Sequence, residues 1–201
     1  MRLREYLNEI TPSVDLYLDE VNDLIYKNCK PYLKLIGNFY PLYRGIYSLT
    51  PKYLNSGFDK KKVRKNREPQ ATDQKVFKML NIWLQKNGHN RRDQSISVTS
   101  NISTASTFGD AAMVFPIGKF SYSWIKAEDL NILDIVTGWD KWKELYKTKL
   151  ELSKWIFTDK KFKVPYMKRY EIWINCKEYY YVSTDNYLWN GITKKLEQRN
   201  K

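Results

Sequence analysis

SISVTSNISTASTFGDAAMVFPIG, residues 95–118, is the stretch whose reading decides the fold. It opens as a short strand in which Ile96 and Val98 alternate with Ser95 and Ser97. It then passes into Thr99, Ser100 and Asn101, where hydroxyls and an amide replace apolar side chains. Ala105, Phe108 and Gly109 read as one helical turn closed by glycine, and residues 113–117 return as an apolar strand ending at Pro116 and Gly118. Two strands joined through a hydroxyl-rich bend set polar groups at the edge of a cleft, where a ribose or a phosphate could be met. On Thr99 and Ser100 alone the plainer reading is a polar turn between core strands, because Ser and Thr are ordinary turn formers.

Upstream, residues 41–47, PLYRGIY, read as an apolar strand with one arginine inside it. A guanidinium is costly to bury unless an anion meets it, so Arg44 is either a contact for a ligand phosphate or carboxylate, or half of an internal salt bridge. Residues 59–67, DKKKVRKNR, hold six basic residues in nine and read as a solvated loop that can also grip phosphates. Thr72 and Asp73 cap a helix whose Val76, Met79, Leu80, Trp83 and Leu84 form a core stripe, ended by Asn87-Gly88. His89, the only histidine, follows in a turn, so a multi-histidine metal site is excluded. Arg91 and Arg92 stand just before the first strand, and one of them is placed to face the cleft mouth.

Toward the N-terminus, Thr11-Pro12 predicts the start of a helix with Val14, Leu18, Val21 and Ile25 on one face, ending near Cys29-Lys30-Pro31. Residues 33–43 are apolar and aromatic with breakers at Gly37 and Pro41. Beyond the opening stretch, Phe120, Tyr122 and Trp124 alternate as a strand, and residues 139–157 read as a helix. Pro165 interrupts the chain. Residues 170–174, YEIWI, are a strand with Glu171 at its start, residues 179–182 a second strand forming a hairpin with it, and residues 194–201 a polar tail that frays.

The 201 residues suit a single domain, residues 1–201, with a helical N-terminal region over residues 1–36. The 35 Lys and Arg against 22 Asp and Glu leave a charge of +13, which points to an anionic partner without choosing among nucleic acid, an acidic protein and a small anion. Cys29 and Cys176 lack companions at metal-ligand spacing and read as reduced thiols in a cytoplasmic compartment. No apolar run reaches the length of a membrane span, and neither a G-x-G-x-x-G nor a Walker loop is present.

Taken in order, an arginine in a first strand (Tyr43-Arg44-Gly45), a Thr-Ser at the end of a second (Val98-Thr99-Ser100, then Ala105 and Phe108) and a glutamate opening a late strand (Glu171) resemble a known signature. It is the Arg, Ser-Thr-Ser, Glu signature of the cholera-toxin-like mono-ADP-ribosyltransferases, several of which are bacteriophage proteins. The resemblance spans roughly residues 42–182. It implies an α+β fold, a split β-sandwich NAD-binding core with an N-terminal helical region. The implied chemistry releases nicotinamide from NAD and passes ADP-ribose to a macromolecular acceptor, with no metal.

In that reading Glu171, Arg44 and Ser100 are catalytic, and Arg44, Gly45, Thr99, Ser100, Phe108 and Arg92 line the NAD site. A phage-encoded chain would work in the host cytoplasm. Val98 stands where the first serine is expected, so Ser100 or Ser97 does the hydroxyl's work. Arg169 stands where members that modify arginine carry Glu or Gln, which turns the expected acceptor toward an anionic surface, an acidic protein or a nucleic acid. An NAD glycohydrolase using the same site and a non-catalytic nucleic-acid-binding protein are the alternatives.

Overall fold

The computed structural model describes residues 14–38, 40–46, 57–67, 74–126, 156–184 and 187–199. Among them the chain is α+β, with six α-helices and two antiparallel four-stranded sheets. One sheet, in order β1-β4-β8-β2, contains β1 (Leu42–Ile46), β2 (Phe58–Lys62), β4 (Asp110–Pro116) and β8 (Glu178–Ser183). The other, in order β3-β7-β5-β6, contains β3 (Ile96–Val98), β5 (Ser121–Ile125), β6 (Ile156–Thr158) and β7 (Ile172–Asn175).

Side-chain alternation sorts these sheets into layers. In the first sheet the register sets Tyr43, Met113, Phe115, Tyr180 and Val182 on one face. There they meet α1 (Val14–Asn28) and α2 (Lys30–Ile36): Tyr32 packs edge-on against Phe115, and Asn28 Nδ2 donates to the Tyr180 hydroxyl at 2.9 Å. In the second sheet Ile96, Val98, Ile172 and Ile174 share the face that joins the main core. Trp173 lies on the opposite face, with Phe77, Leu80 and Leu84 of α3 (Gln74–Lys86). Both β7 and β8 are buried along nearly their whole length because each is a central strand with a neighbour on either side.

That centrality corrects the expected hairpin. β7 and β8 are consecutive but belong to different sheets, and Cys176 and Lys177 carry the chain from one to the other. The polar tail is a second correction: over residues 194–199 it is the end of α6 (Tyr187–Arg199), whose Leu188, Ile192 and Leu196 at four-residue spacing are buried in the main core, where the helix packs on α1 and β8. Gly191 lets the two helices approach, because a Cβ there would sit 2.5 Å from Leu18. An ion pair between Lys195 and Asp19 follows on the rim.

The basic run at residues 59–67 begins as an edge strand rather than a loop, since Phe58 packs on Tyr180 and the Lys61 ammonium lies over the Tyr181 ring. Residues 30–36 are helical, with Pro31 in the first turn, where a missing N–H is harmless. Pro165 likewise sits in the first turn of the short helix α5 (Lys163–Met167) instead of interrupting the chain. The caps expected at residues 11–12 and 72–73, and most of the helix expected over residues 139–157, lie outside the described residues, but Ile156 and Phe157 are strand. No helix among the described residues is long and apolar enough to cross a membrane.

Candidate active site

Among the described residues one backbone bridge joins the two sheets. Tyr43 N–H donates to the Thr99 carbonyl at 2.7 Å, and Thr99 N–H donates to the Tyr43 carbonyl at 2.9 Å, tying β1 to the end of β3. β3 is an edge strand, so its side away from β7 is open to other donors. Along that edge the Ser97 carbonyl accepts from Arg44 Nη1 at 3.2 Å, and the Ser95 carbonyl accepts from Arg67 Nη1 at 2.8 Å. Alternate residues of an extended strand present their carbonyls to the same edge, which is why residues 95, 97 and 99 take these three donors in turn.

Glu171 immediately precedes β7, and the β3–β7 register carried one pair beyond Val98–Ile172 sets it opposite Thr99. Arg92 lies in the 3-10 turn Arg92–Gln94 that leads into β3, and its Nη2 donates to Glu171 Oε1 at 2.6 Å. The Arg92 guanidinium carbon lies 5.3 Å from the centroid of the Trp173 ring, so an indole face and a carboxylate hold it together. Glu171 Oε2 is buried and has no hydrogen-bond partner among the described residues. A carboxylate fixed through one oxygen, with the other oxygen vacant, is ready to accept from a ligand hydroxyl.

The electrostatics are lopsided. Arg67 feels the charges of both Arg44 and Arg92, of the three only Arg92 is paired with a carboxylate, Glu171, and among the described residues neither Arg44 nor Arg67 has a salt-bridge partner. Burial draws the Arg44 pKa below its ordinary value, with Tyr179 and Glu171 opposing. Arg67 is brought down to about 10, first by burial and then by the repulsion of Arg44 and Arg92. Tyr179 is raised by burial against the pull of the same two arginines, Arg44 and Arg67. Lys61, which shares the Arg44 face of its sheet, is lowered by burial and by Arg44 and Arg64, with Asp59 opposing.

Of the residues singled out in the sequence, Arg44, Thr99, Arg92 and Glu171 come together here. Arg91 turns away to Asp93, leaving Arg92 as the cleft arginine. The Ser100 hydroxyl donates to the Tyr166 carbonyl at 2.6 Å, which ties α5 and the approach to Glu171 onto β3. Ser97 sits in regular register opposite Trp173, and Val98 faces the core.

Gly45 is a point of close approach: a Cβ there would lie 2.5 Å from the backbone of Ala105 and of Phe108, where α4 (Ile102–Ser106) and its exit cross β1. Phe108 is 57% exposed, not a core residue. Arg169 is exposed and holds a φ of 59°, a conformation that favours glycine.

Sequence reasoning missed Arg67, Tyr179 and Trp173. Arg67 was submerged in its charge run, and the other two were simply members of the strands 179–182 and 170–174, because only the β3 edge and the register reveal what they face. His89 stacks on Trp83, and its Nδ1 lies 2.8 Å from the Thr158 hydroxyl, remote from this cluster in the contacts it makes. No group of His, Cys, Asp and Glu able to hold a metal occurs among the described residues. No family model, curated protein or solved structure matches the chain.

Proposed function

We propose that this chain is a mono-ADP-ribosyltransferase that cleaves NAD between nicotinamide and ribose and transfers ADP-ribose to a macromolecular acceptor. The observation that carries the reading is the state of Glu171: one carboxylate oxygen clamped by Arg92, the other buried without a partner, at the joint between two sheets and beside Arg44. The order of Arg44, Thr99-Ser100 and Glu171 along the chain, resembling the transferase signature, joins it.

Breaking the C1′–N bond leaves its electron pair on the nicotinamide nitrogen and positive charge on the ribose ring. Glu171 would accept a hydrogen bond from a ribose hydroxyl through Oε2 and stabilise that charge. Arg92 would keep the carboxylate oriented, and Arg44 would bind the anionic part of NAD. An acceptor nucleophile then attacks C1′ and loses its proton. Water in that place would make the chain a glycohydrolase. The basic edge running from Lys61 to Arg67 suits an acceptor with a negative surface, an acidic protein or a nucleic acid.

Nicotinamide release by purified wild type beside Glu171→Gln tests the reading, with and without a cell lysate supplying acceptors. Release by the wild type with a loss of at least about 10²-fold in the variant, which remains folded by circular dichroism, supports it. If the wild type leaves NAD intact under all these conditions, the enzyme reading fails, and salt-dependent nucleic-acid binding through the β2 edge is the reading to test next.

A further inference from the structure

Arg67 has a role that a purely structural account leaves unexplained. Its Nη1 caps the Ser95 carbonyl, which a neutral amide could do as well, yet the residue is a cation set beside two others. Three guanidiniums and one carboxylate leave two positive charges without partners among the described residues (3 − 1 = 2). Like charges gathered in a half-buried site oppose folding, so such an arrangement is explained by an anion that completes it. The cost is visible in Arg67 itself, whose affinity for its proton is reduced by burial and by its two neighbours.

The positions of the two arginines describe the anion. Arg44 and Arg67 are anchored to the carbonyls of Ser97 and Ser95, two residues apart on one strand edge, hence about 7 Å apart along it. Each guanidinium has five N–H donors in a planar fork. The hydrogen bond from Nη1 fixes the orientation of each fork and leaves other donors for an oxyanion. We infer that Arg67 and Arg44 together form a site for a diphosphate group, laid along the open edge of β3 beside Glu171. Arg67 is thus a binding residue for the ligand, contributed by the segment after β2 and not by the strands that carry the motif. The inference deepens the NAD reading, since NAD carries a diphosphate, and it rests on that reading only for the identity of the natural ligand.

The probe is inorganic pyrophosphate, with orthophosphate beside it, titrated calorimetrically into wild type, Arg67→Gln and Arg67→Lys at fixed ionic strength. Pyrophosphate should bind the wild type at least about 10-fold more tightly than orthophosphate. Arg67→Gln should lose at least about 10-fold in pyrophosphate affinity and Arg67→Lys less, because lysine keeps the charge and gives up the fork. Without ligand, Arg67→Gln should melt no lower than wild type, whereas removal of a merely structural arginine would lower the Tm. Equal affinity of wild type and Arg67→Gln for pyrophosphate overturns the inference, as does a wild type that binds the two anions equally.

Nicotinamide release separates the two claims. Arg67-dependent pyrophosphate binding without NAD cleavage sinks the transferase and keeps the anion site. NAD cleavage with pyrophosphate binding indifferent to Arg67 does the reverse.

Discussion

Gly45→Ala is the sharpest test of how the cleft wall is built. The added Cβ would meet the Ala105 carbonyl oxygen and the Phe108 carbonyl carbon at 2.5 Å, and the Phe108 oxygen at 2.6 Å. Comfortable carbon contacts begin near ~3.5 Å, so the exit of α4 must retreat from β1 by about 1 Å. All three atoms are backbone, and no flexible side-chain end can yield in their place. Overpacking of this kind costs about 1–3 kcal/mol. For a chain of this length each kcal/mol lowers the Tm by about 2–4 °C, so a fall of about 2–12 °C is expected by calorimetry.

Gly88→Ala is the control. Gly88 has a φ of 72° and nothing within 4 Å of the new methyl, so only the left-handed backbone cost of about 1 kcal/mol applies. The same displacement at Gly45 disturbs the strand that carries Arg44, and a misplacement of about 1 Å can lower turnover by ~10²-fold, which nicotinamide release would read. An unchanged Tm for Gly45→Ala, or a larger loss at Gly88 than at Gly45, would refute the close packing of α4 on β1.

Arg92→Ala strips the partner from a carboxylate that is already short of hydrogen bonds, and urea unfolding should show a loss of about 3–5 kcal/mol. The double change Arg92→Met, Glu171→Leu should recover most of it, and a single variant as stable as wild type would contradict the buried pair. Burial lowers the His89 pKa, so the unfolded chain holds its proton to higher pH than the fold does. Stability should therefore decline as pH falls through about 6.5 toward the folded pKa, and proton NMR of this single histidine should titrate lower in the native state than in urea. Cys29 and Cys176 are both raised to about 12 by burial. Their contribution is complete below the unfolded thiol pKa near ~8.5–9 and is lost as pH climbs toward 12. A disulfide reagent at neutral pH should thus find both thiols only after denaturant is added, and prompt reaction of the native protein would contradict their burial.

The strands of the site were legible in the sequence, since the alternation of Ile96 and Val98, the arginine within PLYRGIY and the apolar run after Glu171 all report burial on a pleated surface. Pairing was not legible. A two-residue link between two apolar strands reads as a hairpin, and nothing local says that each strand already has two other neighbours. The helix that enters the C-terminal tail was hidden because residues 194–201, KKLEQRNK, hold a single apolar residue, Leu196, among polar ones. Arg44, Arg92 and Glu171 could be singled out because each is a charge at a strand or its threshold. Arg67 could not, because its meaning comes from the Ser95 carbonyl on an edge 28 residues away.

The crossing between β7 and β8 also dictates when the protein can fold during its synthesis. One central strand of each sheet, β8 or β7, is made only after both of its neighbours: β3 ends at Val98, and its partner β7 begins at Ile172, 74 residues later (172 − 98). At about 5–20 residues per second the ribosome needs roughly 4–15 s to cover that interval. Until then, of the described pairings, only β1 with β4, β5 with β6 and the Tyr43–Thr99 bridge can form, and the edges awaiting β7 and β8 stand uncovered. Completion of both sheets is thereby gated by one short piece of chain, so the nascent protein depends on being kept from other strands until residues 172–183 emerge.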